Sequence, residues 1–199
     1  MGTRFDKIFS YMLFVEGGYS NDKNDKGGET TWGVTKDEAR RNGYNGSMKN
    51  LTQDFAKKIL EKDYYLKNCL NEVRNDKVAL SICDWSFNSG RWATKKAQVT
   101  LNKFFGYDLV VDGIFGIKTI KALNEVEEQG KSEEFLKNYH NLQRKFYHSI
   151  VEYDPILQDL QYTLLLLIRG IQSNTIRFFE RLVKQSRQKR KIFKGDVLK

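Results

Sequence analysis

The chain is organised around a glycine-rich and acidic stretch, which reads FVEGGYSNDKNDKGGETTWG over residues 14–33. Before it, apolar residues recur at the three- and four-residue spacing of an amphipathic helix: Phe5, Ile8, Phe9, Met12 and Leu13. Glu16 continues the same face, so we expect its carboxyl group at the C-terminal end of a helix, beside apolar neighbours. The negative end of the helix dipole and partial burial both disfavour the ionised form. We therefore expect a raised pKa at Glu16, which suits a general acid working near neutral pH.

The loop that follows offers counterparts for such an acid. Asp22 and Asp25 lie among polar residues and glycines, where we expect them to be solvated and ionised. One protonated carboxyl group facing one ionised carboxylate is the arrangement that glycoside hydrolysis uses. The same stretch supplies hydroxyl groups that suit a water molecule and aromatic rings that suit sugars: Thr30, Thr31, Tyr19 and Trp32.

Two other interpretations of this loop remain open. A calcium-binding loop is one, but Lys26 occupies a ligand position and Gly33 stands where a bidentate Glu is required. A plain surface turn built from Asn, Asp and Gly is the other. Glu16, followed directly by Gly17 and Gly18, favours catalysis.

Three segments of the stretch carry a family resemblance: EGGYSND at residues 16–22, DKGGET at 25–30 and WGVT at 32–35. They resemble the signature of the EGGY-type N-acetylmuramidases, glycoside hydrolase family 108, whose members were once labelled secretion activator proteins. The resemblance implies an all-α, lysozyme-like helical fold with a loop-rich active-site segment after the first helix. It also implies cleavage of the glycan strand of peptidoglycan, with Glu16 as the catalytic acid and no metal or organic cofactor.

The spacing of Glu16, Asp25 and Thr31 is also similar to that of the Glu, Asp and Thr triad of phage-type lysozymes. Family members more often carry Asn where Thr31 stands. The choice between Thr30 and Thr31 therefore stays open, and Asp22 stays an alternative to Asp25.

Local signals predict the helices that follow the loop. A capping box at Thr35–Glu38 predicts a short helix that ends near residue 42. A second helix begins at residues 51–52 and runs through Tyr64 and Tyr65. In the family, a helix of this kind ends with an aromatic pair near the cleft. Tyr65 is therefore predicted either to contact a sugar or to lie in the core with its hydroxyl group bonded.

A third helix, at about residues 76–89, is apolar around much of its girth and is expected to be the central buried helix. Asp84 and Asn88 are four residues apart and share one of its faces. The segment that contains them resembles the family's Asp and Asn-Ser-Gly segment. They are predicted either to bind substrate or to form a buried polar pair that fixes neighbouring loops.

The second half of the chain begins near Ala93 and contains VDGIFGIKT at residues 111–119. This segment resembles the turn of small helical peptidoglycan-binding modules, although a purely structural turn has the same sequence features. Asp112 is expected to bond the turn amides. We predict a muramidase region at residues 1–92, a binding module at 93–154, and an amphipathic helix with a basic tail at 155–199.

The net charge of +9 is concentrated at the C-terminal end. Residues 177–199 hold nine basic and two acidic residues, a net of +7, which leaves +2 for the rest of the chain. A solvated helix end, attraction to anionic wall polymers and nucleic-acid binding are the alternatives for this tail. No nucleic-acid-binding motif accompanies it, so we expect no nucleic-acid partner. The leucine-rich segment before the tail is expected to pack on the body, and the protein to be a monomer or a weak oligomer.

The cysteines, the histidines and the short apolar runs limit which cofactors and which cellular compartment we expect. Two cysteines and two histidines lack metal-ligand spacing, so we expect no metal site. The apolar run at residues 8–15 has no small-residue cleavage site after it, and the apolar run at residues 164–168 is too short to span a bilayer. We therefore expect synthesis in the cytoplasm without a cleavable signal peptide. Action at the cell wall or in the periplasm would then follow release or export, as for an endolysin.

A rival from another class is a non-catalytic protein that binds peptidoglycan or assists secretion on the same fold. A turnover assay separates the two, because only the enzyme releases reducing ends.

Overall fold

The structure is a computed structural model, and it describes residues 3–16, 18–21 and 29–152, with the side chains of residues 14–16 and 150–152 left out. The predicted leucine-rich segment and basic tail therefore lie outside the described residues. The chain divides into two compact units. The helical unit comprises, among the described residues, 3–12 and 60–146, and the hairpin unit comprises the remaining ones.

In chain order the described elements are α1 (Arg4–Glu16), β1 (Thr30–Thr31), β2 (Val34–Thr35), α2 (Lys36–Arg41), α3 (Gln53–Leu60), α4 (Asp76–Ser89), α5 (Arg91–Phe105), α6 (Ile117–Glu128) and α7 (Ser132–Glu152). A π-helical segment, Glu61–Leu66, continues α3, and short 3-10 turns lie at Met48–Asn50 and Leu70–Glu72. The predicted mainly α-helical fold is confirmed.

The first helix buries the apolar face that its sequence predicts. Four of the five predicted residues are between 1% and 6% exposed: Phe5, Ile8, Phe9 and Met12. Within the helical unit the ring of Phe5 lies 5.2 Å from the ring of Tyr65, on the π-helical segment. Arg4 donates to the carbonyl oxygens of Val73 and Leu70 and pairs with Asp76. The start of α1 is therefore part of a folded core.

The centre of the helical unit is α4, whose predicted bounds the structure reproduces. Its Trp85 is fully buried and meets Tyr139 of α7 edge to face, with ring centroids 5.1 Å apart. The buried Tyr139 hydroxyl donates to the carbonyl oxygen of Ala93 on α5 at 3.2 Å. Burial of large aromatic side chains with a satisfied polar group is what stabilises such a core.

The hairpin unit is built on a two-stranded antiparallel hairpin followed by α2. The capping box is present in full, because Glu38 donates its backbone N–H to Thr35 Oγ1 at 3.3 Å and Thr35 donates its backbone N–H to Glu38 Oε2 at 3.0 Å. The helix ends at Arg41, as expected. A local signal thus fixed where the chain turns from strand to helix.

Candidate active site

The site begins where α1 ends. Glu16 is the last residue of α1, and the last turn of that helix carries no basic residue that would neutralise the carboxylate or the helix dipole. The side chain of Glu16 lies outside the described residues, and so do Asp22 and Asp25. Their roles as acid and counterpart stay predictions.

A backbone pair joins two described residues, Ser20 and Thr30, that lie on either side of Asp22 and Asp25 in the sequence. Ser20 and Thr30 exchange two hydrogen bonds, N–H to O in both directions, each 2.8 Å long. Thr30 then enters β1, whose residues pair with Thr35 and Val34 of β2. Ser20 is therefore held against the first strand of the hairpin.

A charged cluster lies beside this pair. The Tyr19 hydroxyl donates to Glu29 Oε1 at 3.0 Å, and Lys36 Nζ lies 2.8 Å from Glu29 Oε2. Lys49 Nζ is 5.4 Å from the centre of the Tyr19 ring. The bonds from Lys36 and Tyr19 lower the pKa of Glu29, whereas desolvation and the adjacent Glu29 carboxylate raise the pKa of Tyr19. Glu29 is thus held ionised.

The sequence analysis did not single out Glu29. Its partners lie ten residues before it and seven after it, and no predicted helix or strand contains Glu29 together with either of them. The acidic residue next to a glycine pair in GGET was the one available signal.

The hairpin turn holds a bulky residue in an unfavourable conformation. Trp32 has φ of 53° and Gly33 has φ of 80°, so both turn residues lie in the left-handed region. Glycine adopts this region freely, but for tryptophan it is an outlier that costs about 1–2 kcal/mol. The indole Nε1 donates to the carbonyl oxygen of Leu51 at 2.8 Å, which fixes the ring in its half-buried position. Such strain is found where function requires a set geometry.

The two candidate threonines have different environments. Thr31 is 2% exposed, and its hydroxyl donates to the carbonyl oxygen of Met48 at 2.6 Å. Thr30 is half-buried and forms the backbone pair with Ser20. The structure therefore brings Tyr19, Thr30, Thr31 and Trp32 together in the hairpin unit.

Tyr65, predicted as a sugar contact or a core residue, belongs to the helical unit. It is 5% exposed, and its burial raises the pKa of its hydroxyl group. It lies on the π-helical segment, a backbone form that is frequent at functional sites. A contact of Tyr65 with substrate stays a prediction.

Asp84 and Asn88 are half-buried on α4, also in the helical unit. The Asn88 side-chain amide donates to the backbone carbonyl oxygen of Asp84 at 2.9 Å. Their roles in substrate binding or in loop positioning stay predictions.

The Asp112–Gly113 turn is bonded as its sequence predicts. Asp112 Oδ1 accepts from the backbone N–H of Ile114 at 2.8 Å and from Gln98 Nε2 at 2.9 Å. These bonds lower the pKa of Asp112, the one from Gln98 most. Gln98, only 2% exposed, also accepts from the backbone N–H of Gly113 at 2.9 Å. A buried amide from α5 therefore closes the turn.

Within the described ranges, no three His, Cys, Asp or Glu side chains are grouped to hold a metal ion. Among the helices that the structure describes, none combines the length and the apolar character needed to cross a membrane. Cys69 and Cys83 are not joined in a disulfide; the first is half-buried and the second is buried.

Comparisons with known proteins agree with this architecture. A family model described as glycosyl hydrolase 108 matches residues 9–90, and one described as a predicted peptidoglycan domain matches residues 92–197. Among solved structures, Brucella abortus SagA is 24% identical, with 70% of this chain and 79% of that chain covered and a TM-score of 0.56, which shows a shared fold. No curated protein matches the chain. The chain belongs to the glycosyl hydrolase 108 family, with a predicted peptidoglycan domain as its second half.

Proposed function

We propose that this peptidoglycan hydrolase is an N-acetylmuramidase in which Glu16 is the general acid. The observation that carries the proposal is the position of Glu16 at the end of α1. Four buried apolar residues precede it, and a strained hairpin, paired through Thr30 with Ser20, lies further along the chain. A carboxyl group that ends an apolar helix stays protonated more readily than one in open solvent.

In this mechanism the Glu16 proton passes to the glycosidic oxygen on the C1 side of an N-acetylmuramic acid unit. The bond between C1 and that oxygen breaks, and positive charge develops at C1 and the ring oxygen. Asp25, or Asp22 in its place, either removes a proton from the attacking water or stabilises the positive charge, in which case the Glu16 carboxylate takes the proton of the water. The water oxygen bonds to C1, so the product has a new muramic acid reducing end.

In this proposal Thr30 or Thr31 orients the water molecule. The Thr31 hydroxyl is buried and donates to the carbonyl oxygen of Met48, and the Thr30 backbone pairs with Ser20. A distance of about 6.5–9.5 Å between the two catalytic carboxyl groups would predict inversion, and about 5–5.5 Å would predict retention.

Sugar binding in this proposal involves aromatic rings of the hairpin unit. Tyr19 is 38% exposed and Trp32 is half-buried, so each keeps ring surface for a pyranose. Tyr65, Asp84 and Asn88 remain proposed substrate-binding residues.

The proposal assigns catalysis to residues 1–92 and wall binding to residues 93–154, followed by the segment 155–199. The match of the predicted peptidoglycan domain to residues 92–197 supports a binding role for the second half. We propose a monomer or weak oligomer that binds peptidoglycan and no nucleic acid.

The decisive experiment replaces Glu16 by Gln and measures turbidity loss of purified sacculi. We expect activity to fall at least about a thousandfold, since the amide keeps the shape of the side chain but cannot donate the required proton. Mass analysis of fragments released by the wild type, after borohydride reduction, is expected to find reduced muramic acid at the new ends.

The matched control is Asp37→Asn, which makes the same carboxylate-to-amide change at an exposed position of α2. It is expected to lyse sacculi at the wild-type rate. Lysis retained by Glu16→Gln would remove Glu16 from its role. A wild type that pulls down sacculi but releases no reducing ends would favour the non-catalytic rival.

A further inference from the structure

An exposed tryptophan with two lysines at its ring lies in the helical unit. Trp92, in the first turn of α5, is 48% exposed. The Nζ atoms of Lys95 and Lys96 lie 5.3 Å and 5.8 Å from its ring centre. Both lysines are half-buried, so their stems are packed although their ammonium groups reach the ring. Aromatic surface and positive charge thus occupy one small area.

The tryptophan ring is braced from within the helical unit. The ring of Phe146 lies 5.3 Å from that of Trp92, and Phe146 in turn contacts the fully buried Trp85 at 5.9 Å. A ring that is supported by the core and still half exposed loses little conformational entropy when a ligand binds.

The Asp112–Gly113 turn holds the residues that flank Trp92. A Cβ atom on Gly113 would lie 3.0 Å from Lys95 Cγ and 3.1 Å from the carbonyl oxygen of Arg91. The Arg91 guanidinium also donates to the carbonyl oxygen of Asp112 at 2.8 Å. The turn therefore packs against Arg91 and Lys95, which precede and follow Trp92 in α5, and it limits the movement of the Lys95 stem.

We propose that Trp92, Lys95 and Lys96 form a binding site for the carboxylate-bearing stem peptides of peptidoglycan. The proposal rests on the proposed function, since it names the part of the same substrate that the second half of the chain holds. Two ammonium groups suit a carboxylate, and the indole ring suits the methyl and methylene groups next to it. The sugars are uncharged where the lactyl group is amide-bonded, so in intact peptidoglycan these carboxylates belong to the stem peptides.

The same helix provides a matched control. Phe104 is 41% exposed and has Lys103 at 5.5 Å from its ring centre. It is thus an exposed aromatic residue beside a lysine, but it has one lysine at the ring instead of two. If any exposed aromatic–lysine pair of α5 sufficed, Phe104→Ala and Trp92→Ala would weaken binding equally.

The test measures sacculus binding in the full chain carrying Glu16→Gln, so that the substrate is not consumed. We expect Trp92→Ala and the double variant Lys95→Gln/Lys96→Gln to raise the Kd at least about fivefold, and Phe104→Ala to change it less than about twofold. Added salt is expected to weaken sacculus binding by the Glu16→Gln parent protein more than binding by the double lysine variant.

Competition identifies the ligand. A free stem tetrapeptide is expected to displace the parent from sacculi, whereas the same peptide with its carboxylates amidated and a neutral N-acetylglucosamine tetramer are not. Equal competition by the amidated peptide, or unchanged binding by the double lysine variant, would overturn the proposal. Circular dichroism checks folding, and the double variant decides the matter if Trp92→Ala proves misfolded.

Failure of this site and failure of the proposed function have different signatures. Lysis by Glu16→Gln would overturn the catalytic role and leave the binding comparison intact. Unchanged binding by the Trp92 and lysine variants would overturn the site and leave the Glu16 experiment unaffected.

Discussion

Two turns of this molecule contain a residue in the left-handed backbone region, and they place different residue types there. In the helical unit the left-handed position falls on Gly113, with φ of 77°, and Gln98 closes the turn from a buried position. In the hairpin unit a left-handed position falls on Trp32, with φ of 53°. The first turn uses the residue that adopts this conformation without strain, and the second does not.

The difference distinguishes a turn that supports the fold, at Gly113, from a turn in the candidate site, at Trp32. A turn that obeys the local rule adds stability and positions its neighbours, here Arg91 and Lys95. A turn that breaks the rule with a large aromatic residue needs compensation, which Trp32 receives in part from its bond to Leu51. Strain retained at Trp32 is what the proposed catalytic function leads one to expect of the hairpin.

The largest expected effect on stability comes from Gly113→Ala. The added Cβ meets the Arg91 carbonyl oxygen and the Lys95 stem, and alanine is strained at this φ. We expect a loss of about 1–3 kcal/mol in the free energy of unfolding, measured by urea denaturation. The control is Gly116→Ala, where φ is −93° and no atom lies within 4 Å of the new Cβ, so the loss is expected to stay below about 1 kcal/mol. Equal losses in the two variants would show that the positive φ and the close contacts of Gly113 add nothing to the cost of the substitution.

Trp32→Asn is expected to change the stability less than Gly113→Ala does, but to reduce the activity clearly. Asparagine tolerates the left-handed region, so relief of strain offsets part of the lost indole packing and the lost bond to Leu51. We expect the free energy of unfolding to change by less than about 1 kcal/mol. Lysis of sacculi is expected to fall at least about tenfold. Wild-type lysis by this variant would break the comparison, because the strained residue would then have no catalytic consequence.

The smallest expected effect is a pH dependence at Asp112. The bonds from Gln98 and Ile114 hold the folded-state pKa of Asp112 below its ordinary value of 3.8. The carboxylate therefore stabilises the fold above that value, and the contribution disappears as the pH falls through the folded-state pKa. We expect the Tm difference between wild type and Asp112→Asn to be full at about pH 6 and to shrink below about pH 4. A difference that stays constant into strong acid would show that the charge of Asp112 is irrelevant.

The features that could be predicted from the sequence are those whose interacting residues lie close together in the chain. The capping box of Thr35 and Glu38, the bounds of α4 and the bonding of Asp112 within its turn were predicted correctly. Each depends on partners a few residues apart, so the spacing carries the information. The family resemblance added the class of enzyme, because its motif lies in one short stretch.

The partners of the site residues were not predictable in this way. The bond of Thr31 to Met48 spans 17 residues, and that of Trp32 to Leu51 spans 19. No period of a helix or a strand connects such positions, since the separation is set by how the intervening chain folds. Glu29 was missed for the same reason.

Four properties could be read from the sequence: the helical class, the apolar face of α1, the helix that ends at Glu16 and the family to which the chain belongs. They follow from periodicity, from capping and from a contiguous motif, and the contact of Lys95 and Lys96 with Trp92 follows from helical spacing in the same way. The tertiary structure was needed to show that Thr31 is buried, that Trp32 is strained, and that the Asp112–Gly113 turn packs against Arg91 and Lys95. Those arrangements come from packing between segments distant in the chain, where shape and burial, and not local spacing, select the contacts.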